Sequence, residues 1–173
     1  MTQRELGHIV VPRHLLAAGA VSATTTAWLD TFAPYASPLK AGMQAKSATL
    51  FFDVGAGTTG TITAVIHESD DGSTDLGQMP DMYGEWFCDG VPGSFVGGVW
   101  TPSYPGLQAA TLAITGANMA NHVYSFDYIG GLHRYINAVI TILSAPTNPI
   151  AVIGALGNVR ETAGKVYTNY TYP

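Results

Sequence analysis

From Ala48 onward apolar and polar residues alternate with a period of two. Ala48, Leu50, Phe52 and Val54 share one parity while Thr49, Phe51 and Asp53 share the other, which predicts a strand with one buried face. After Gly55 to Gly60 the alternation resumes, with Ile62, Ala64 and Ile66 on one side and Thr61, Thr63 and Val65 on the other. The two runs together predict a hairpin. Further strands are predicted at Thr111 to Thr115, Val123 to Tyr128, Arg134 to Leu143 and Ile150 to Leu156. The run from Arg134 is the clearest, with Ile136, Ala138, Ile140 and Ile142 on one face.

Between these runs the pattern dissolves. Residues 1–24 mix Leu, Ile and Val with an Ala-rich stretch, readable as a short helix or as an extended N-terminal arm. We assign 1–24 as an arm and 25–173 as one domain. Residues 77–106 are rich in Gly, Pro and aromatics and read as a long excursion loop, with short strands conceivable around Trp86 and from Phe95 to Trp100. Asp70, Asp71 and Gly72 supply the turn that ends the second strand. Many short strands parted by Gly, Pro and Asn turns, with no long helical period and no internal repeat, give an all-β class: an antiparallel β-sandwich or jelly roll.

Composition narrows the function. A chain of 173 residues is one domain's worth and buries roughly 70% of its unfolded surface. Charged residues make up 11% and apolar ones 47%, so the surface is built largely from Thr, Ser, Asn, Ala and Gly. Such a surface is weakly protected against association and suits a protein that works assembled against neighbours. The net charge of −5 and the scattered Lys and Arg argue against nucleic-acid binding. No apolar run reaches the roughly 18 residues of a membrane span, and the start lacks a signal-peptide core, so we expect a chain made and folded in a cytoplasm.

Candidate chemistry is sparse. Gly55, Gly57 and Gly60 spell G-x-G-x-x-G, with Asp75 downstream, but the following residues alternate and are β-branched. A dinucleotide fingerprint needs a helix N-terminus there, so a loop is expected. The carboxylates Glu68, Asp70, Asp71, Asp75, Asp81, Glu85 and Asp89 could offer oxygens to calcium, yet their spacing is not that of an EF-hand and a turn-forming rim is the simpler expectation. His8, His14, His67, His122 and His133 show no metal-ligand spacing, and Cys88 is alone, so neither a disulfide nor a Cys-based zinc site is expected. No nucleophile-elbow pattern occurs. We therefore expect no enzyme, no cofactor and no metal. Tyr83, Trp86, Trp100 and Tyr104 could stack sugars or simply pack. The tail, Val166 to Tyr172, is rich in strand formers and is expected to dock on a neighbouring subunit or on the rim of its own sandwich. Val166, Tyr167, Tyr170 and Tyr172, with Trp86 and Trp100, are thus the candidate partner-contact residues.

Three stretches, Leu50 to Ser73, Tyr128 to Thr141 and Pro149 to Arg160, together resemble a family of small virion structural proteins of tailed bacteriophages, of the capsid decoration or cement type. The likeness spans residues 45–75 and 123–160, under half of the chain, and departs from the usual form at Leu132, His133 and Asn137, where basic residues are common. The resemblance implies a β-sandwich on the outside of an icosahedral shell, bound to the major capsid protein and often to itself as a homotrimer. It brings no catalytic residues, and from charge and hydropathy we expect no nucleic acid and no membrane as partners. A tail or head-tail connector component, or a carbohydrate- or receptor-binding module of the virion, are the alternatives.

Overall fold

The computed structural model describes residues 10–31, 43–44, 47–56, 60–115, 120–128, 133–144, 148–157 and 160–161. Strands in chain order are β1 (Val10–Val21), β2 (Ala23–Thr25), β3 (Leu29–Asp30), β4 (Met43–Gln44), β5 (Ser47–Val54), β6 (Thr61–Ser69), β7 (Gly84–Cys88), β8 (Val91–Val96), β9 (Val99–Pro102), β10 (Thr111–Thr115), β11 (His122–Tyr128), β12 (Tyr135–Leu143), β13 (Asn148–Gly157) and β14 (Arg160–Glu161). One 3-10 turn, Asp81–Tyr83, precedes β7.

All these strands pair antiparallel, in two main sheets that pack as a sandwich. The larger sheet has the order β1-β13-β5-β11-β7-β8-β9, and the smaller has β10-β6-β12-β2 with β3 also on β12. β4 and β14 form a separate two-residue pair. Alternation along each strand decides what lies between the sheets: Leu50, Phe52, Val54, Phe126 and Val152 from one side, Ile62, Ala64, Ile66, Leu112, Ile136 and Ile140 from the other. Trp86 sits at the aromatic centre, its ring 5.4 Å from that of Phe52 and 5.0 Å from that of Phe126. Gly84 leaves room for that cluster, because a Cβ there would lie 1.9 Å from the Phe126 ring.

Three expectations change. The runs 48–54 and 61–66 are strands with the predicted faces, but they are not a hairpin: β5 lies in the larger sheet and β6 in the smaller, so the link between them crosses the sandwich. Inward alternation is the same for a hairpin and a crossover, so parity alone does not separate them. The described part of residues 1–24 is not a free arm but β1, paired with β13 from Val10↔Gly157 to Val21↔Asn148 along the sheet edge. Register shifts between His14 and Gly19 mark bulges that interrupt its alternation. The excursion 77–106 is not a long loop either. It holds the meander β7-β8-β9, turned at Asp89-Gly90 and at Gly97-Gly98, all four residues with positive φ (49°, 78°, 59° and 80°). Such two-residue turns match the twist of the strands they join.

One side of the sandwich is closed by residues 106–110. The Leu107 carbonyl accepts from the Trp86 N–H at 3.0 Å, the Ala109 carbonyl from the Trp86 indole N–H at 2.7 Å, and the Ala110 carbonyl from the Ile66 N–H at 2.9 Å. The segment thereby ties β7 of one sheet to β6 of the other.

Candidate functional site

The solvent face of the larger sheet is built by the second parity of its strands. Ladder register aligns His14, Ile153, Phe51, Ser125, Phe87 and Pro92 in one row across β1, β13, β5, β11, β7 and β8. In the next row Ala151, Asp53 and Val123 stand side by side. Phe51, Ile153 and Val123 are 37%, 38% and 39% exposed, so the face presents an apolar ridge to water. On its far side Thr49, Asp127 and Glu85 form a row of their own. Asp127 and Glu85 are direct cross-strand neighbours, a like-charge pair that a sheet ordinarily avoids. Burial, followed by the nearby Glu85 charge, holds the Asp127 carboxyl above its usual range despite a 2.8 Å hydrogen bond from the Thr49 hydroxyl.

The acidic residues of the 68–89 region each hold a piece of chain. Asp71 accepts from the Ser73 and Thr74 N–H groups at 2.8 and 2.7 Å, and from the Thr74 hydroxyl. Those donors, the Thr74 N–H first, hold its carboxyl well below the usual range. Asp75 accepts from the Gly77 N–H and pairs with His67 at 2.8 Å. Asp81 accepts from the Ala110 N–H and Glu85 from the Gly106 N–H. Glu68, 3% exposed, accepts from the Tyr128 hydroxyl. Asp70 pairs with His133 at 2.8 Å, which raises the His133 pKa. These carboxylates are the staples of turns and of strand ends.

The aromatics that could stack sugars or simply pack do not come together as a platform. Trp86, read from sequence as a partner contact, is 0% exposed and belongs to the core. Its size and central position in the sheet make it the natural core filler. Trp100 is half-buried, edge-on to Phe95 at 5.3 Å and to Tyr124 at 6.1 Å, and its indole N–H donates to the Val91 carbonyl. Tyr104 is 91% exposed. The tail residues Val166, Tyr167, Tyr170 and Tyr172 lie outside the described residues. In the G-x-G-x-x-G segment, Gly60 leads directly into strand β6, so no helix terminus faces the loop.

One grouping escaped the sequence. Asp89 caps the β7-β8 turn, where its N–H donates to the Val123 carbonyl at 2.8 Å and its Oδ1 accepts from the Val123 N–H at 3.0 Å. Its second oxygen receives the His122 Nδ1 at 2.6 Å. Cys88, paired with Tyr124 in the ladder, turns its thiol toward the same spot, so that donor atoms of Cys88, Asp89 and His122 lie within 4.8 Å of one another. The Tyr124 hydroxyl is hydrogen-bonded to the thiol. Burial and the Asp89 charge push the Cys88 thiol up to about 11, so it is not an activated nucleophile. His122 stands 33 residues from Asp89 in the chain, and only the β7-β11 register makes them neighbours.

No protein-family model, no curated protein and no solved structure matches this chain.

Proposed function

We propose that this chain is a structural subunit of a tailed-phage particle, a decoration protein that docks the outer face of its larger sheet on the major capsid protein and associates with itself as a trimer. The carrying observation is the group of exposed apolar residues Ile153, Phe51 and Val123, an apolar ridge flanked by Asp53, Asp127 and Glu85. That pattern calls for a partner surface with an apolar groove bordered by Lys or Arg. The phage assignment comes from the resemblance over Leu50 to Ser73, Tyr128 to Thr141 and Pro149 to Arg160, which include the central strands β5, β6, β12 and β13. Virion-exterior placement after synthesis in the host cytoplasm follows from the same reading.

The mechanism is burial. Each Å² of apolar surface removed from water contributes about 25 cal/mol, less the costs of ordering and association. Repetition over symmetric shell sites turns a modest local affinity into resistance to internal pressure. The test is quantitative mass spectrometry of purified particles. Copy numbers comparable to the capsid protein are expected, and a handful of copies per particle would overturn the reading.

A further inference from the structure

Beyond the docking role, and independently of it, we propose that Cys88, Asp89 and His122 form a binding site for one divalent transition-metal ion of the zinc class. The three side chains supply a sulfur, a carboxylate oxygen and a ring nitrogen, with donor atoms already within 4.8 Å of one another. Tetrahedral zinc with bonds of about 2.0 to 2.3 Å places its ligand atoms roughly 3.3 to 3.7 Å apart. Reaching that spacing means opening the 2.6 Å contact between His122 Nδ1 and Asp89 Oδ2, chiefly by turning the His122 ring, which is 37% exposed, while the buried thiol sits in strand β7.

The backbone frames this trio in the way metal sites require. Asp89 is held by its two hydrogen bonds to Val123, which keeps Oδ1 occupied and leaves Oδ2 to face the centre. The Tyr124 hydroxyl is hydrogen-bonded to the thiol, the kind of outer partner that metal ligands have. Sulfur and imidazole select a borderline-soft ion over calcium or magnesium, which want oxygen donors. An entering ion takes the lone pair of one His122 ring nitrogen, the ring proton sitting on the other, and displaces the thiol proton, which is released to solvent. Three protein ligands leave a fourth position open to water on the exposed side. A bound ion would pin the β7-β8 turn to the start of β11.

The experiment uses the full chain, stripped with chelator and then titrated with Zn²⁺ by calorimetry and with Co²⁺ by absorption. We expect uptake of one Zn²⁺ per chain, a rise in unfolding temperature with Zn²⁺, and a thiolate-to-cobalt charge-transfer band. Cys88→Ser should abolish that band, and His122→Gln should weaken Zn²⁺ binding at least about tenfold. His67→Gln, at a histidine paired with Asp75 instead, should leave both readouts unchanged. If Cys88→Ser fails to fold, as judged by near-ultraviolet circular dichroism of the stripped protein, the partly exposed His122→Gln still decides the matter. Absence of saturable Zn²⁺ uptake by the unmodified chain, or equal affinity in His122→Gln, overturns the site.

Discussion

The two outer faces of the sandwich are made from the same strand grammar and differ in what they offer a neighbour. On the smaller sheet the outward parity carries Thr61, Thr63, Thr111, Thr115 and Thr141, with Val65, Ala113 and Val139 between them, Leu143 exposed at one end and Asp30 across from Tyr135 at the other. Those residues favour a pleated strand and leave hydroxyls to water. On the larger sheet the outward parity carries Phe51, Phe87, Val123 and Ile153 beside Asp53, Asp127 and Glu85. Nothing in strand formation asks for exposed Phe next to paired carboxylates. The first face is mostly what strand formation favours, and the second is the one on which the proposed docking rests.

The largest effect should come from crossing between the inside and outside of the smaller sheet. Ile140 is 1% exposed and its neighbour Thr141 is exposed. Ile140→Asp buries an unpaired carboxylate and should cost more than about 4 kcal/mol, abolishing soluble folded protein. Thr141→Asp should stay within about 0.5 kcal/mol, because an exposed position on this face holds no special contact. Expression and thermal melts of the pair check this, and equal tolerance would mean that strand phase is not what separates core from surface here.

That phase was legible in the sequence, and the reason is physical. Period-two alternation assigns each side chain to a face before any pairing is known, so the inward sets of β5, β6 and β12 could be read directly. Pairing could not. The β5-β6 crossover and the Cys88, Asp89 and His122 grouping depend on which strands become neighbours, and that choice is made by long-range packing. The β7-β8-β9 meander was obscured because Gly93 and Pro92 break its alternation, although Asp89-Gly90 and Gly97-Gly98 carried the two-residue turn signal. Trp86 was misplaced because an aromatic residue in a Gly/Pro-rich stretch looks the same whether it faces in or out.

The second largest effect tests the larger sheet's outer face. Phe51→Thr together with Ile153→Thr, both strand formers, should leave the monomer folded and weaken attachment to the particle by about 100-fold, about 2.7 kcal/mol, the scale of an interface hot spot. Thr63→Asp on the opposite face should leave attachment unchanged. Co-sedimentation of purified chain with particles lacking it provides the measurement, and equal losses from the two faces would erase the distinction between them.

A smaller change is expected at Asn137, the polar residue set between the two behaviours. It lies on the outward parity of β12, opposite His67, yet it is 1% exposed and neither amide atom has a hydrogen-bond partner. Replacing an unsatisfied buried amide with an apolar strand former removes a desolvation cost, so Asn137→Val should stabilise by about 1 kcal/mol. Urea midpoints at constant slope would check it. A loss of stability would mean that the amide holds a partner in solution.

The smallest effect concerns charge on the two sides, and its sign should reverse between them. Asp71, in the turn that follows β6 of the smaller sheet, has its carboxyl lowered from the ordinary 3.8, so its contribution to stability is present above that value and is lost as pH falls through the lower folded value. Asp127, on the larger sheet, has its carboxyl raised, so the ionised form is the disfavoured one in the folded chain. Its contribution is full below the unfolded value and is lost as pH rises through the folded value. Asp71→Asn should therefore lower stability at neutral pH, by an amount that shrinks on acidification. Asp127→Asn should raise it at neutral pH by a few tenths of a kcal/mol, since solvent screens the Glu85 repulsion, and the gain should fade on acidification. The Asn amide oxygen can still accept from Thr49, which keeps the comparison to charge alone. Attachment adds a second readout with the opposite direction. If a basic partner borders the ridge, Asp127→Asn gains stability in the free chain but loses affinity for the particle, and loses most at low salt. A variant that improved both would remove the reason for keeping two carboxylates side by side on that face.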